Sequence, residues 1–199
     1  MSRILIAYAS FYGQTRKIAE AIAAQLRGKG HTVELAAACA SPPPPVEDYD
    51  AVVLGSCVEF GHHARPIVEY ITANRDALRD IPSYFFSVSM SAAEASTADP
   101  GGYLADLFTT TQWRPSVAIA LAGGLPYRQY GFFLRMVMKL ISRRSGHTTD
   151  TSRDYEFTDW AAVRRFADGV AADLGPPSLG LDELTRRRGR GHDANVKRT

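Results

Sequence analysis

The sequence has few cysteines, little net charge and no long run of apolar residues. Its two cysteines, Cys39 and Cys57, are far apart and lack the spacing of a metal site, which favours a reducing compartment over a disulfide framework. No apolar run reaches the roughly 18 residues that span a bilayer, and the opening RILIAY lacks the pattern of a cleaved signal peptide. The net charge of the 199 residues is +2. These absences predict a cytoplasmic protein with one core and no metal site.

Strand-like and helix-like segments alternate along residues 1–174. The short apolar runs ILIAY, AVVLGS and SYFFSVS predict buried strands, and apolar residues recur at helical spacing between them. The last predicted helix begins at Asp159, a residue type that commonly caps helices. Five strands alternating with helices predict an α/β fold, a doubly wound parallel sheet covered by helices on both faces. Residues 126–158 form an insertion after the fifth strand, and residues 175–199 form a basic tail that we expect to be disordered.

The loop SFYGQT, residues 10–15, follows the first predicted strand and leads directly into the first helix. The first turn of a helix has unpaired N–H groups and a partial positive charge, so it attracts anions such as phosphate. The loop has neither the ending of a Walker A motif nor the GxGxxG pattern of dinucleotide folds. Its neutral donors suit one terminal phosphate, which makes flavin mononucleotide (FMN) the first candidate ligand. An ordinary capped helix start fits this loop equally well.

Two further loops are predicted at the same edge of the sheet. They are SCVEFGH after the third strand and SVSMSAA after the fourth. Because open parallel sheets bind ligands beyond the carboxyl ends of their strands, the meeting of these loops favours a binding site over a structural role for residues 10–15.

The sequence resembles the flavodoxin-like family, and within it the menaquinone-dependent protoporphyrinogen dehydrogenases, over residues 3–174. The resemblance depends on GQT, FGH, FFSVS and QWRP, and above all on AGGLPYRQYGFFLRMVMKLI and TDTSRDYEFTDW, which ordinary flavodoxins lack. It implies a five-stranded flavodoxin-like fold and an enzyme that uses FMN to oxidise protoporphyrinogen IX in haem synthesis. It also implies that menaquinone accepts the electrons and that the protein associates peripherally with the inner face of the cell membrane.

The resemblance also implies which residues serve the cofactor. Residues 10–15 would hold the phosphate, residues 56–61 would pass beside the isoalloxazine ring, and residues 87–90 would line its other edge. Phe60 is the candidate stacking partner and His62 the candidate proton acceptor, although both are also compatible with a simple loop. The candidate FMN contacts are Ser10, Phe11, Tyr12, Gly13, Gln14, Thr15, Ser56, Cys57, Val58, Glu59, Phe60, Gly61, Ser87, Val88, Ser89 and Met90.

Two departures from the family pattern concern the anionic substrate. Glu59 stands where the family has a basic residue, and the segment SAAEASTAD, which contains Glu94, lacks the family's lysines and arginines. The candidates that would replace them in binding the propionate groups are Arg65, Arg128 and Arg135.

Within the insertion, YGFFLRMVMKLISRRSG combines a wide apolar face with a narrow basic stripe at helical spacing. The segment is too short to span a membrane, and this pattern is typical of a helix lying on a bilayer surface. A helix packed on its own domain or in a homo-oligomer would show the same pattern. The candidate membrane and quinone contacts are Phe132, Phe133, Arg135, Met136, Lys139, Leu140 and Arg143.

Three alternatives to the dehydrogenase remain open on the sequence alone. The first is a flavodoxin-type electron carrier, but carriers of this fold are usually strongly acidic and lack the insertion. The second is a quinone reductase fed by a nicotinamide, and the third is an adaptor that has kept the fold without the flavin. The tail segment RRRGRG could contact nucleic acid or anionic lipid, but a solvated end is the simpler interpretation, so no nucleic-acid partner is expected.

Overall fold

The computed structural model describes residues 1–40, 43–94, 98–125 and 155–175. The candidate membrane and quinone contacts, together with Arg128, fall in residues 126–154 and lie outside the described residues. Residues 176–199 of the predicted tail also lie outside them. Within the described ranges, no helix is long and apolar enough to cross a membrane.

The described residues contain eight strands and five helices. The strands are β1 (Arg3–Ala9), β2 (Thr32–Ala37), β3 (Ala51–Glu59), β4 (His62–His63), β5 (Ser83–Ser89), β6 (Val117–Ala122), β7 (Gly124–Leu125) and β8 (Tyr155–Glu156). The helices are α1 (Gln14–Gly28), α2 (Arg65–Ala73), α3 (Ala77–Asp80), α4 (Tyr103–Thr111) and α5 (Trp160–Asp173), with 3-10 turns at Val46–Asp48 and Ser91–Glu94.

Five of the strands form a parallel sheet in the order β2-β1-β3-β5-β6, which confirms the predicted α/β fold. Without the two-residue strand β4, this is the strand order of flavodoxin-like doubly wound sheets. The chain first adds β2 on one side of β1 and then builds β3, β5 and β6 on the other side. The switch point therefore lies between β1 and β3, and sheets of this kind bind ligands just beyond it.

Helices cover both faces of the sheet because successive side chains of each strand point in opposite directions. Ile4 and Ile6 of β1 pack with α1 and α5 in one core layer. Leu5 and Ala7 pack with α2, α3 and α4 in the other. The start of α5 is as predicted, since the Asp159 carboxylate accepts hydrogen bonds from the N–H groups of the first turn.

Three predicted elements differ in the structure. The helical spacing of Ile67, Tyr70, Ile71 and Leu78 predicts a single helix from about residue 64, but α2 ends at Ala73 and α3 follows separately. The Asn74 side chain donates to the Tyr70 carbonyl and closes the last turn of α2. The predicted loop SCVEFGH is a β-hairpin in which β4 returns antiparallel to β3. Its turn consists of Phe60 and Gly61, both at positive φ, as two-residue hairpins of type I′ require. The predicted fifth strand is SVAIALAGGL, residues 116–125, but β6 ends at Ala122, and Gly124–Leu125 pairs instead with Tyr155–Glu156.

Candidate functional site

Residues 10–13 join β1 to α1 at the switch point. The Gly13 N–H donates to the Ser10 hydroxyl oxygen at 3.1 Å, and Gly13 has a φ of 89°, which favours glycine. Among the described residues no side chain caps the first turn of α1, and that turn contains no acidic residue. Within the described ranges, ordinary side-chain capping is therefore absent, and no described side chain blocks the first N–H groups of α1 from an anion.

Two aromatic side chains are exposed beside this loop. Phe11 follows β1 and is 55% exposed, and Phe60 follows β3 and is 87% exposed. The two strands are neighbours in the sheet, so both side chains flank the switch point. Large aromatic groups are normally buried in soluble proteins, and their exposure at a ligand-binding edge suits a planar ligand that would cover them.

Ser56 and Ser87, two predicted cofactor contacts, are buried in register on neighbouring strands. The Ser56 hydroxyl donates to the Cys57 carbonyl at 2.9 Å and accepts from the Ala64 N–H at 3.1 Å. The Ser87 hydroxyl lies 2.9 Å from Nε2 of His63. Both side chains therefore fasten the β3–β4 hairpin to the sheet.

The two histidines of β4 have opposite surroundings. His62 is exposed, whereas His63 is buried and packs edge-on against the Phe85 ring at 5.3 Å between centroids. Burial lowers the pKa of His63 to about 4, although the nearby Asp99 and Asp106 carboxylates oppose this effect. The sequence favours His62 over His63 as the candidate proton acceptor. Because neighbouring side chains of a strand point to opposite sides, the sequence also indicates that one of the two histidines points inward.

The other predicted contacts after β5 are only partly accessible. Val88 and Ser89 are buried, and Met90 is half-buried. The Ser89 carbonyl accepts from the Gly123 N–H at 3.0 Å, and a side chain at Gly123 would come within 3.3 Å of Val88. The ends of β5 and β6 are thus joined at this edge, with glycine allowing their close approach.

Side chains from the first two loops also meet across the switch point. The Tyr12 hydroxyl donates to Oε1 of Glu59 at 3.4 Å, and burial together with this carboxylate raises the pKa of Tyr12. Burial raises the pKa of the Cys57 thiol, although contacts with the Phe11 N–H and the Thr15 hydroxyl act against it. Cys57 therefore stays a neutral packing residue between the two loops. Val58 and Gly61, in the same hairpin, are half-buried.

Comparison with known proteins agrees with this geometry. Residues 5–152 match the family model of the flavodoxin domain. The chain is 33% identical over 179 residues to protoporphyrinogen IX dehydrogenase (quinone) from Escherichia coli K12, covering 89% of this chain and 99% of that protein. It is 31% identical over 184 residues to the protein of the same name from Leishmania major, covering 85% of this chain and 75% of that one. The chain belongs to the protoporphyrinogen IX dehydrogenase (quinone) family.

Members of this dehydrogenase family are oxidoreductases, and the flavodoxin domain indicates a flavin cofactor. The sequence-based assignment to the flavodoxin-like dehydrogenases is confirmed. Among solved structures, two-electron reduced flavodoxin from Megasphaera elsdenii is 18% identical, with a TM-score of 0.46, covering 59% of this chain and 84% of that one.

One residue that sequence analysis missed, Thr158, lies beside the loop of residues 10–15. The Gln14 side-chain amide donates to the Thr158 hydroxyl oxygen at 2.9 Å, and the Thr158 hydroxyl donates to the Ala122 carbonyl at 2.8 Å. Thr158 belongs to the motif TDTSRDYEFTDW, which indicates the family. The motif alone could not predict a contact between Thr158 and Gln14, because the two residues are 144 positions apart in the sequence.

Three basic side chains lie near the carboxyl edge of the sheet, and each pairs with a glutamate. Arg16 contacts Glu20 at 2.8 Å, Lys17 contacts Glu156 at 3.4 Å, and Arg65 contacts Glu69 at 2.6 Å. All three basic side chains are more than half exposed, so these ion pairs are weak and the cations can turn to an anionic ligand. In the described part of the chain, no three histidine, cysteine, aspartate or glutamate side chains are grouped to hold a metal ion.

Proposed function

We propose that the protein is an FMN-dependent protoporphyrinogen IX dehydrogenase that passes electrons to menaquinone. The observation that supports this most directly is the uncapped first turn of α1, which follows a positive-φ glycine and lies at the switch point of the sheet. The relatives' name supplies the porphyrinogen substrate and a quinone acceptor. FMN and menaquinone are the more specific parts of the proposal.

The residues present fit FMN in both charge and shape. The loop of residues 10–15 would hold the phosphate through backbone N–H groups and the Ser10 hydroxyl, because no carboxylate lies in the first turn to repel it. The exposed rings of Phe11 and Phe60 would cover the isoalloxazine. FMN bound there would supply the hydride acceptor for the porphyrinogen and the electron donor for the quinone.

The protein itself must orient the substrate and remove protons. His62 is the candidate proton acceptor because it is exposed on the hairpin beside Phe60. His63 does not suit this role, since its burial keeps its pKa low and its Nε2 is already engaged with the Ser87 hydroxyl. Arg65 is exposed at the start of α2 and is the described cation that would meet the propionate groups. Among the predicted replacements, Arg128 and Arg135 lie outside the described residues.

We also propose that the protein binds the cytoplasmic face of the membrane through residues 130–144. The support is the sequence pattern of apolar residues with Arg135, Lys139 and Arg143 on one stripe, together with the lipid solubility of menaquinone. A basic stripe beside an apolar face favours anionic lipid headgroups.

An assay with two electron donors tests the proposed activity. FMN-loaded protein is mixed anaerobically with a menaquinone analogue and either protoporphyrinogen IX or NADH, and porphyrin fluorescence and quinone reduction are followed. We expect both signals with protoporphyrinogen and no quinone reduction with NADH. Quinone reduction with NADH alone would identify a nicotinamide-fed quinone reductase, and no turnover with either donor would favour an electron carrier.

A glycine pair provides the matched control for the same assay. Gly13 and Gly28 both have open space where a Cβ would lie, but only Gly13 has a positive φ. Gly13→Val should therefore lose FMN and turnover, because valine resists the left-handed conformation and obstructs close approach to the phosphate. Gly28→Val should retain both. Full FMN binding by Gly13→Val would remove the loop from the cofactor site.

A further inference from the structure

We propose that Thr158 is a positioning residue for the cofactor phosphate, acting through Gln14 at the start of α1. The inference rests on the proposed FMN site and extends it to a residue that follows the insertion. Thr158 does not belong to any of the three loops at the carboxyl edge that sequence analysis selected. Its role follows from a chain of hydrogen bonds that joins the end of β6 to the phosphate loop.

The Thr158 hydroxyl lies in the middle of that chain. It accepts from Nε2 of Gln14 at 2.9 Å and donates to the Ala122 carbonyl at 2.8 Å. Its one proton and one of its acceptor positions are thereby used. Ala122 is the last residue of β6, so Gln14 is fixed to the sheet through a single hydroxyl group.

Thr158 is itself held firmly on both sides. On one side, the Phe157 N–H donates to the Gly123 carbonyl at 3.0 Å, and the Gly123 N–H donates to the Ser89 carbonyl at 3.0 Å. On the other side, Asp159 caps α5 through the N–H groups of Ala161 and Ala162. Because both sequence neighbours of Thr158 are held in place, its hydroxyl can fix the position of the Gln14 side chain.

Gln14 is a residue whose position needs such a partner. It is the first residue of α1 and follows Gly13, whose positive φ and missing side chain leave the backbone permissive. The first turn of α1 has no capping side chain within the described residues. The bond from Gln14 to Thr158 therefore fixes the turn from outside, so that its free N–H groups stay aimed at the phosphate.

A second contact also joins α1 to the segment that contains Thr158. Nζ of Lys17, in the first turns of α1, lies 3.4 Å from Oε2 of Glu156, the last residue of β8. Oε1 of the same glutamate accepts from Nε1 of Trp160 at 2.7 Å. The ion pair is solvent-exposed and adds little by itself, but it links α1 to the segment that carries Thr158.

The test compares two flavins that differ only in the phosphate. Dissociation constants of FMN and riboflavin are measured by calorimetry for wild type, Thr158→Val and Thr158→Ser. Valine keeps the shape of threonine without the hydroxyl, so Thr158→Val should weaken FMN binding by about three- to tenfold, the usual worth of one net hydrogen bond. Riboflavin affinity should stay unchanged, and Thr158→Ser should restore wild-type FMN affinity.

Gln14→Leu provides a reciprocal variant that keeps the test decisive if Thr158→Val folds poorly. It should weaken FMN binding as Thr158→Val does, and the double variant should lose no more than either single variant, because both remove the same bond. Equal losses for FMN and riboflavin would overturn the inference in favour of a general structural role. Unchanged FMN affinity in both single variants would also overturn it.

The wild-type protein separates this inference from the proposed function. Wild type that binds FMN no more tightly than riboflavin would contradict the phosphate site itself, and the positioning role would fall with it. Wild type that prefers FMN, with Thr158→Val preferring it equally, would contradict the positioning role alone.

Discussion

At the scale of single residues, His63 links the hairpin to the sheet. The side chain is buried, its ring packs edge-on against Phe85, and Nε2 lies 2.9 Å from the Ser87 hydroxyl. Burial lowers the pKa of His63 to about 4 although Asp99 and Asp106 favour the charged form. The buried site of His63 on the β3–β4 hairpin therefore favours the neutral imidazole over the protonated one.

We expect His63 to make the protein less stable as the pH falls from 6.5 towards 4. The unfolded chain takes up the proton near pH 6.5 and the folded protein only near pH 4, so protonation favours unfolding within this window. The loss by pH 4 is on the order of 3 kcal/mol. Urea unfolding at several pH values should show this loss in wild type and in His62→Gln but not in His63→Gln. The same pH dependence in wild type and His63→Gln would contradict the assignment.

The sequence predicted which residue types lie at the site, but it did not predict which way their side chains point. Ser10 and Gly13 follow from the needs of a phosphate loop, and they contact each other as a strand-to-helix turn allows. The inward direction of Ser56 and Ser87 depends on which helices cover that face of the sheet, which local sequence does not reveal. The contact between Gln14 and Thr158 joins residues from the two ends of the domain.

At the scale of elements, the sequence predicted the features that depend on neighbouring residues, such as helical spacing and helix caps. The helical spacing of apolar residues in α1 and α5, and the cap at Asp159, are present in the structure. The β3–β4 hairpin escaped prediction because its turn is Phe-Gly, whereas Asn-Gly or Asp-Gly is the usual signal for two positive φ values. The pairing of β7 with β8 connects segments on either side of residues 126–154, so no local pattern could indicate it.

The basic stripe of the insertion carries a prediction about membranes. Changing Arg135, Lys139 and Arg143 to glutamate should release the protein from anionic vesicles and leave FMN bound, since each basic residue near such a surface contributes about 1 kcal/mol. Turnover with a lipid-borne quinone should fall more than turnover with a short soluble quinone. Vesicle sedimentation and parallel assays with the two quinones measure these effects.

The matched control is a charge reversal of the same size in the tail, in which Arg186, Arg187 and Arg188 are changed to glutamate. It should leave vesicle binding intact. Unchanged vesicle binding in the insertion variant would contradict the membrane role, as would equal loss with both quinones. Loss of bound FMN would instead indicate a helix packed on the domain.

At the scale of the whole molecule, the fold brings distant loops to one edge of the sheet. The alternation of strands and helices was sufficient to predict a parallel sheet, and the rule for switch points then selected the loops after β1, β3 and β5. The observed order β2-β1-β3-β5-β6 places the first two of these loops on neighbouring strands. The exposed Phe11 and Phe60 flank the switch point, where that order predicts a ligand. The sheet topology does not identify the substrate or the electron acceptor, and both are inferred from the name of the relatives.

A single-turnover experiment tests most directly that this fold carries electrons from porphyrinogen to quinone. FMN-loaded protein is mixed anaerobically with protoporphyrinogen IX in the absence of quinone, and flavin absorbance and porphyrin fluorescence are recorded together. The account predicts that the yellow flavin band fades as porphyrin fluorescence appears, and that added menaquinone analogue restores the band. Porphyrin formation with an unchanged flavin band, or a faded band that the quinone fails to restore, would contradict it.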